Sequence, residues 1–329
     1  MKRREFFGLL GGVAALPAVW PSAGRAQPSE RLPRIGYVTF ASAVLSRRVD
    51  DAFWDGLRDL GYVEGRNFRA EYRSAEGDGS RVPALLAELV DMKVDVIVTY
   101  ASAVAVAMRA TKTIPIVMAV GPDLVALGLA ETLAHPGGNA TGSTFFVAEL
   151  MSKRLELLKE IAPAISGAGV LLFRSEDNSN ANTLEGMRAT AEALKVKLHP
   201  MEVRGPDELE GAFAAWGAAA AGGFVMNEHA ILTYNADKIA QLAAKQRLLS
   251  AGPLALPENG GLIGYGVDFP AIFRRAGYFV DRILKGTKPG DIPIEQATKF
   301  RTMVNLKTAK LLGLELSPTL LARADEVIE

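Results

Sequence analysis

Two short apolar runs, rich in β-branched residues, stand at positions 94–99 and 114–120, separated by small helix-forming residues at 101–110. Neither run alternates polar with apolar residues, so each predicts a strand buried on both faces, with a helix crossing between them. A strand–helix–strand unit of this kind confines the chain to a parallel sheet covered by helices on both sides. In such sheets ligands sit beyond the carboxyl ends of the strands. Here those ends are Thr99-Tyr100-Ala101-Ser102 and Ala119-Val120-Gly121-Pro122-Asp123.

The same alternation extends over most of the chain. Ahead of this unit lie a strand over 34–40, a helix over 49–60 with Phe53, Leu57 and Leu60 at helical spacing, a strand over 67–72 and a helix over 80–92. Gly61 stops the first helix, and Pro83 is tolerated in the first turn of the second. A fifth strand is expected over 141–146, after Pro136-Gly137-Gly138-Asn139. The glycine pair reads as a turn through which the chain leaves this lobe, because neither GxGxxG nor GxxxxGK[ST] surrounds it.

From position 148 the plan repeats. Helices over 148–161, 183–194 and 235–247, and one opened by Gly205-Pro206-Asp207-Glu208, alternate with strands over 168–173, 196–203, 222–226, within 248–256 and over 261–266. A strongly amphipathic helix then runs from Asp268-Phe269-Pro270 to Gly286. No strand slot remains for it in the second lobe, so it is expected to pack back on the first. The chain would then cross between lobes near 146, near 266 and within 291–299. The predicted fold class is α/β, with two doubly wound parallel-sheet lobes joined by a three-crossing hinge. Lobe one takes 31–146 plus about 267–292, and lobe two takes 147–266 plus about 293–329.

Composition narrows the function. The chain of 329 residues carries 37 basic and 37 acidic side chains, a formal net charge of zero, and so lacks the basic footprint that nucleic acid requires. It has no cysteine, which removes disulfides, thiolate metal sites, cysteine nucleophiles and lipidation of a cysteine. No cofactor is expected, and the molecule is expected to be a monomer. The first 26 residues read as an export signal: Arg3-Arg4-Glu5-Phe6, an apolar run over 8–19, then small residues up to Ala26. The paired arginines fit the twin-arginine pattern, with an ordinary Sec signal or an uncut N-terminal anchor as the alternatives. Removal near Ala26 would leave a periplasmic protein that begins near Gln27.

Candidate ligand contacts are the residues just past each strand. In lobe one they are Phe40, Ala41, Ser42, Tyr100, Ala101, Ser102, Val120, Gly121 and Asp123. In lobe two they are Phe173, Arg174, Glu176, Asp177, Asn178, Asn227, Glu228, His229, Tyr265 and Gly266. Ser102 opens a helix, where it either caps or helps to hold a carboxylate. Phe40, Tyr100 and Tyr265 either stack on a planar ligand or pack at the lobe interface. Asp123 or Asp177 is a candidate partner for an ammonium group, since a charge in a closed cleft needs one. Arg174 either clamps a carboxylate or makes an exposed salt bridge. Enzyme signatures are thin. His135, His199 and His229 are far apart without HExxH spacing, and no GxSxG elbow occurs. Glu228-His229 is the one pair with general-base or metal potential.

Several stretches carry a family resemblance. They are 57–67 (Leu57-Arg58-Asp59-Leu60-Gly61-Tyr62 onward), Val94-Asp95-Val96-Ile97-Val98, Thr113-Ile114-Pro115-Ile116-Val117, 135–142 (His135-Pro136-Gly137-Gly138-Asn139 onward), 153–159, 278–286, and the end from Val304 to Ile328. With these the chain resembles the exported substrate-binding components of ABC importers of the TrpX-like family, over nearly all of its mature length. The resemblance implies a periplasmic-binding-protein fold of the three-crossing type, a small-molecule ligand captured by hinge closure, and an inner-membrane permease as partner. Characterised relatives bind aromatic amino acids. The family usually has Asp-Pro after the fourth strand, where this chain has Gly121-Pro122-Asp123, so ligand identity does not carry over.

Overall fold

A computed structural model of the chain describes residues 31–40, 43–174 and 179–329, without the side chains of 43–45. The signal-like stretch, Ala41, Ser42, Glu176, Asp177 and Asn178 lie outside the described residues. Among the described residues, each apolar run expected to be a strand pairs into one of two sheets.

The first sheet is built from β1 (Arg34–Thr39), β2 (Arg69–Ser74), β3 (Val96–Thr99), β4 (Ile116–Gly121) and β5 (Ala140–Thr144), with helices α1 (Ala43–Asp59), α2 (Val82–Asp91) and α3 (Ala103–Ala110) between strands. The second begins after α4 (Val147–Ile161). It contains β6 (Gly167–Phe173), α5 (Ser179–Leu194), β7 (Lys197–Val203), α6 (Leu209–Ala218), β8 (Gly223–Met226), α7 (Ala230–Tyr234), α8 (Ala236–Lys245), β9 (Leu249–Gly252), α9 (Ala255–Glu258) and β10 (Ile263–Val267). The chain ends with α10 (Phe269–Leu284), β11 (Glu295–Gln296), β12 (Phe300–Asn305), α11 (Leu306–Leu312), α12 (Pro318–Arg323) and β13 (Glu326–Ile328).

The strand orders are β2-β1-β3-β4-β5-β11 and β7-β6-β8-β9-β10-β12-β13. Pairing is parallel except between β10 and β12. Both orders reverse direction once, between β1 and β3 in one sheet and between β6 and β8 in the other. These are the topological switch points, where helices diverge to opposite faces and leave a crevice at the strand ends.

Each sheet is buried on both faces. In lobe one, Ile35, Tyr37, Val96, Val98, Val117 and Ala119 face α1 and α10, while Val38, Ile97, Ile116 and Met118 face α2 and α3. In lobe two, Val170, Leu172 and Val225 face α4 and α5, while Leu171, Phe224 and Met226 face α6 and α8. This period of two explains why the strands read as unbroken apolar runs.

Helix α10 lies on the first sheet. Its buried Phe273, Ala276, Phe279, Val280 and Ile283 join the α1-side core. Asp268 caps it by accepting from the Ala271 N–H at 3.2 Å, and Pro270 occupies its first turn. Helices α1 and α10 touch through glycines: a β-carbon on Gly277 would lie 2.8 Å from the Gly56 carbonyl carbon, and one on Gly56 would strike the Arg274 carbonyl oxygen.

Two expectations are adjusted. Strand β11 pairs with β5, Glu295 opposite Ser143 and Gln296 opposite Thr144, so the change of lobe falls after Gln296, inside the expected 291–299 but a few residues beyond the lobe boundary of about 292. A two-pronged ion pair from Arg275 to Glu295, at 2.7 and 2.9 Å, ties this strand to α10. The Gly137-Gly138 pair is not the exit from lobe one. The Gly137 N–H donates to the Gly290 carbonyl at 3.3 Å, β5 follows, and the chain leaves at Phe145-Phe146. Three short segments therefore connect the sheets: β5 to α4, β10 to α10, and β11 to β12. Phe145 and Phe269, on the first two, meet edge to face at 6.0 Å.

Candidate functional site

The two switch points face one another. At the lobe-one switch point, Thr39 ends β1 and Tyr100 follows β3, and their hydroxyls lie 2.6 Å apart. The Tyr100 ring packs edge to face on Phe273 at 5.2 Å, and the residue is only 8 % exposed. Beneath it a carboxylate is buried among hydroxyls. Asp50 of α1 accepts from Tyr37 at 2.6 Å on Oδ1, and from Ser46 at 2.6 Å and Tyr72 at 2.9 Å on Oδ2. Burial, followed by the Asp50 charge, pushes the Tyr37 hydroxyl far above the ordinary phenol value. These tyrosines stay protonated and keep donating.

Lobe two answers with the segment that leaves β8. Asn227 continues the strand by donating its N–H to the Leu171 carbonyl at 3.0 Å. Glu228 turns inward to Arg154 of α4, whose side chain is fully buried, as is that of Glu228 at 3 % exposure. The guanidinium also donates to the Met226 carbonyl at 2.7 Å and the Tyr265 carbonyl at 2.8 Å. It thereby links β8 to β10 where β9, between them, stops short at Gly252. Burial pulls the Arg154 guanidinium below its ordinary value, and the Glu228 charge opposes that pull. Gly266 leaves room for the pair, since a β-carbon there would lie 3.0 Å from Glu228 Oε1. Among the described residues, two buried side-chain acceptor atoms lack a hydrogen-bond donor, Asn227 Oδ1 and Glu228 Oε2.

His229 begins the next turn. Its ring stacks flat on Phe173, at the end of β6, with centroids 3.9 Å apart. Its Nδ1 accepts from the Ile231 N–H at 3.3 Å and so caps α7. Desolvation lowers its pKa from 6.5 to about 4, which keeps the ring neutral and able to accept. Helix α7 delivers Tyr234 across the cleft, where its hydroxyl is hydrogen-bonded to Tyr100. Burial, then Tyr100 and Asp50, raise the Tyr234 pKa well above that of a free phenol. On the rim, Arg48 of α1 pairs with Glu258 of α9 at 3.5 Å.

The structure sorts the other expected contacts. The Phe40 ring covers Gly79. Ala101 holds a left-handed conformation, φ 52°, and donates to the Val120 carbonyl at 2.8 Å. Ser102 stands exposed before α3 without a side-chain capping bond. The Gly121 carbonyl accepts from Thr144 at 3.0 Å. Asp123 is engaged in its own turn, accepting from the Val125 and Ala126 N–H groups at 2.9 and 3.1 Å. Arg174 makes a half-exposed ion pair with Glu202 at 3.6 Å. The Tyr265 ring stacks on Phe300 at 5.7 Å within lobe two, and its carbonyl serves the site.

Thr39, Asp50, Tyr72, Arg154 and Tyr234 were not among the expected contacts. Arg154 had a legible signal: a single charge on the apolar stripe formed by Met151, Leu155 and Leu158. Tyr234 had almost none, because a five-residue helix is too short to show periodicity.

Two doubly wound lobes with opposed switch points, joined by three short crossings, define a hinged binding protein of the periplasmic type. The chain belongs to the ABC transporter substrate-binding protein family, whose model matches residues 43–328. It is the ligand-binding component of such a transporter. A curated relative, a tyrosine-binding protein of Clostridioides difficile, is 26 % identical over 272 residues, 80 % of this chain and 76 % of that protein. Two solved structures share the fold. One is an ABC domain from Streptococcus pneumoniae in complex with L-Trp, with TM-score 0.82, 24 % identity, and 91 % of this chain and 100 % of that one covered. The other is a conserved domain protein of Vibrio cholerae, with TM-score 0.83, 23 % identity, and coverage of 90 % and 100 %. No helix among the described residues is long and apolar enough to cross a membrane.

Proposed function

We propose that this chain captures a small molecule, an amino acid or aromatic acid with an aromatic amino acid as the first choice, between its lobes, closes on it, and presents it intact to a membrane permease. The supporting observation is that the two switch points meet through Tyr234 and Tyr100, so a guest there would be held by both sheets at once. Hinge closure then follows from the extra contacts a ligand makes when both lobes touch it. The named relatives bind tyrosine and tryptophan, which supports the ligand class. Export by the N-terminal signal, removal near Ala26 and action as a periplasmic monomer without nucleic acid or cofactor complete the reading.

A secreted enzyme on the same fold is the rival, and it would use Glu228 and His229. We read neither as a catalyst. Glu228 is tied to Arg154, and the ring nitrogen of His229 that faces the chain is spent on capping α7. The test is a thermal-shift screen of the mature protein against the twenty amino acids, aromatic acids and small amides, followed by mass spectrometry of the bound compound. One or a few compounds should raise the melting temperature and be recovered unchanged. A chemically altered compound, lost on Glu228→Gln, would establish the enzyme instead.

A further inference from the structure

We infer that the outer edge of lobe two carries a second binding site, a groove between α5 and β7 that takes an amphipathic carboxylate. The inference does not depend on what the cleft binds. Strand β7 is the last strand of its sheet on that side. Helix α5 presents Leu184, Arg188 and Ala191, one face of the helix, to the space beside it. That space is about 520 Å³, the size of a small-molecule site. Its walls do not include the strand ends that form the cleft.

The floor of the groove is apolar. Val196, Leu198 and Pro200 join Leu184 there, and Leu184 and Leu198 are only half-buried. The rim is cationic. Arg188, Lys195 and Lys197 border the groove against a single acid, Glu192. Arg188 is taken up by Glu185 at 2.9 Å, so the two lysines keep the rim positive. Charge and shape together fit a molecule with an apolar body and one anionic head.

A partner strand is the poorer occupant. Strand β7 pairs with β6 without a break from Lys197 to Val203. The Lys197 N–H donates to the Ser166 carbonyl at 2.8 Å, and the Val203 carbonyl accepts from the Arg174 N–H at 2.9 Å. Lys197, His199, Met201 and Val203 therefore turn their backbone groups towards β6, and Leu198, Pro200 and Glu202 turn theirs outward. Pro200 holds the middle outward position and removes the N–H that an added strand would use there. Lysines on an exposed edge deter added strands as well. Deterrence calls for charge alone, whereas here the charge stands over half-buried leucines.

The test is an amide-resolved NMR titration of the mature protein with octanoate and with octylammonium, each below its micelle-forming concentration. Octanoate should shift amides within 184–200 and bind there at least about tenfold more tightly than octylammonium. Lys195→Glu combined with Lys197→Glu, both at exposed positions, should weaken octanoate about tenfold and reverse the preference. Lys195→Gln combined with Lys197→Gln should abolish the preference without reversing it. The melting temperature should stay unchanged in both. Absence of shifts within 184–200, shifts confined to the cleft, equal affinity for the two head groups, or unaltered octanoate affinity in the charge-reversed chain would each overturn the assignment and leave the receptor reading standing.

Discussion

At the scale of single residues, the site is governed by which polar groups are spent and which are left open. His229 is spent on its stack with Phe173 and its cap on α7, and both require the neutral ring. Its folded pKa of about 4 lies below the ordinary 6.5. The unfolded chain therefore takes up the proton first as pH falls. The contribution of this residue is complete above pH 6.5 and is lost between there and pH 4, with a ceiling of ~3 kcal/mol for a shift of this size. Asparagine also caps helices but does not titrate. His229→Asn should flatten the decline in urea-unfolding free energy between pH 7 and pH 5, and an unaltered decline would mean that other groups carry it. Arg154 is held more firmly. Removing it strands Glu228 in the interior, a loss of about 3–5 kcal/mol by precedent for buried pairs. Arg154→Met should therefore lower the unfolding free energy far more than the loss of a surface charge such as Lys153, as chemical denaturation of the two variants will show.

At the scale of elements, the contact of α1 with α10 decides how lobe one is completed. The backbones meet at Gly56 and Gly277, so an added methyl group presses on main-chain atoms that cannot rotate away. Gly277→Ala should cost about 2–3 kcal/mol, at the upper end for overpacking, measured by denaturant unfolding. A change below 0.5 kcal/mol, the usual scatter of surface substitutions, would mean that the helices separate easily. The consequence reaches the cleft, because α10 carries Phe273 beneath the Tyr100 ring. Helix α7 acts at the opposite edge. Its five residues bury Leu232 in the core of lobe two and place Tyr234 against the other lobe.

At the scale of the whole molecule, three short crossings permit rotation of one sheet against the other, and the contacts at the cleft favour the closed arrangement. The Tyr234 hydroxyl spans the two lobes at their switch points, whereas the Arg48 pair on the rim is exposed and contributes little. Tyr234→Phe removes one hydrogen bond and keeps the ring. Ligand affinity should fall by about fivefold, with the unfolding midpoint of the ligand-free protein nearly unchanged. Small-angle scattering should show the wild-type chain contracting when a stabilising ligand is added, and the variant more extended before addition. A profile unaltered at saturation would reject closure.

Much of this was legible in the primary structure, because local chemistry decides it. Unbroken β-branched runs such as 96–99 predict strands buried on both faces, and helix spacing, caps and glycine stops delimit the helices between them. The order of these elements then leaves few topologies besides two parallel sheets. The edges of the cleft followed, since strand ends can be read from the same pattern. What the sequence could not settle was the use of each polar side chain at those edges. Asp123, Arg174 and Glu228 stand alike at strand ends in the sequence, and it is the fold that engages the first in a turn and the other two in ion pairs, one half-exposed and one buried. Asp50, Arg154 and Tyr234 are paired with Tyr72, Glu228 and Tyr100, which stand 22, 74 and 134 positions away along the chain; their roles arise because packing removes water from them, and a polar group's partner becomes decisive only once water is gone.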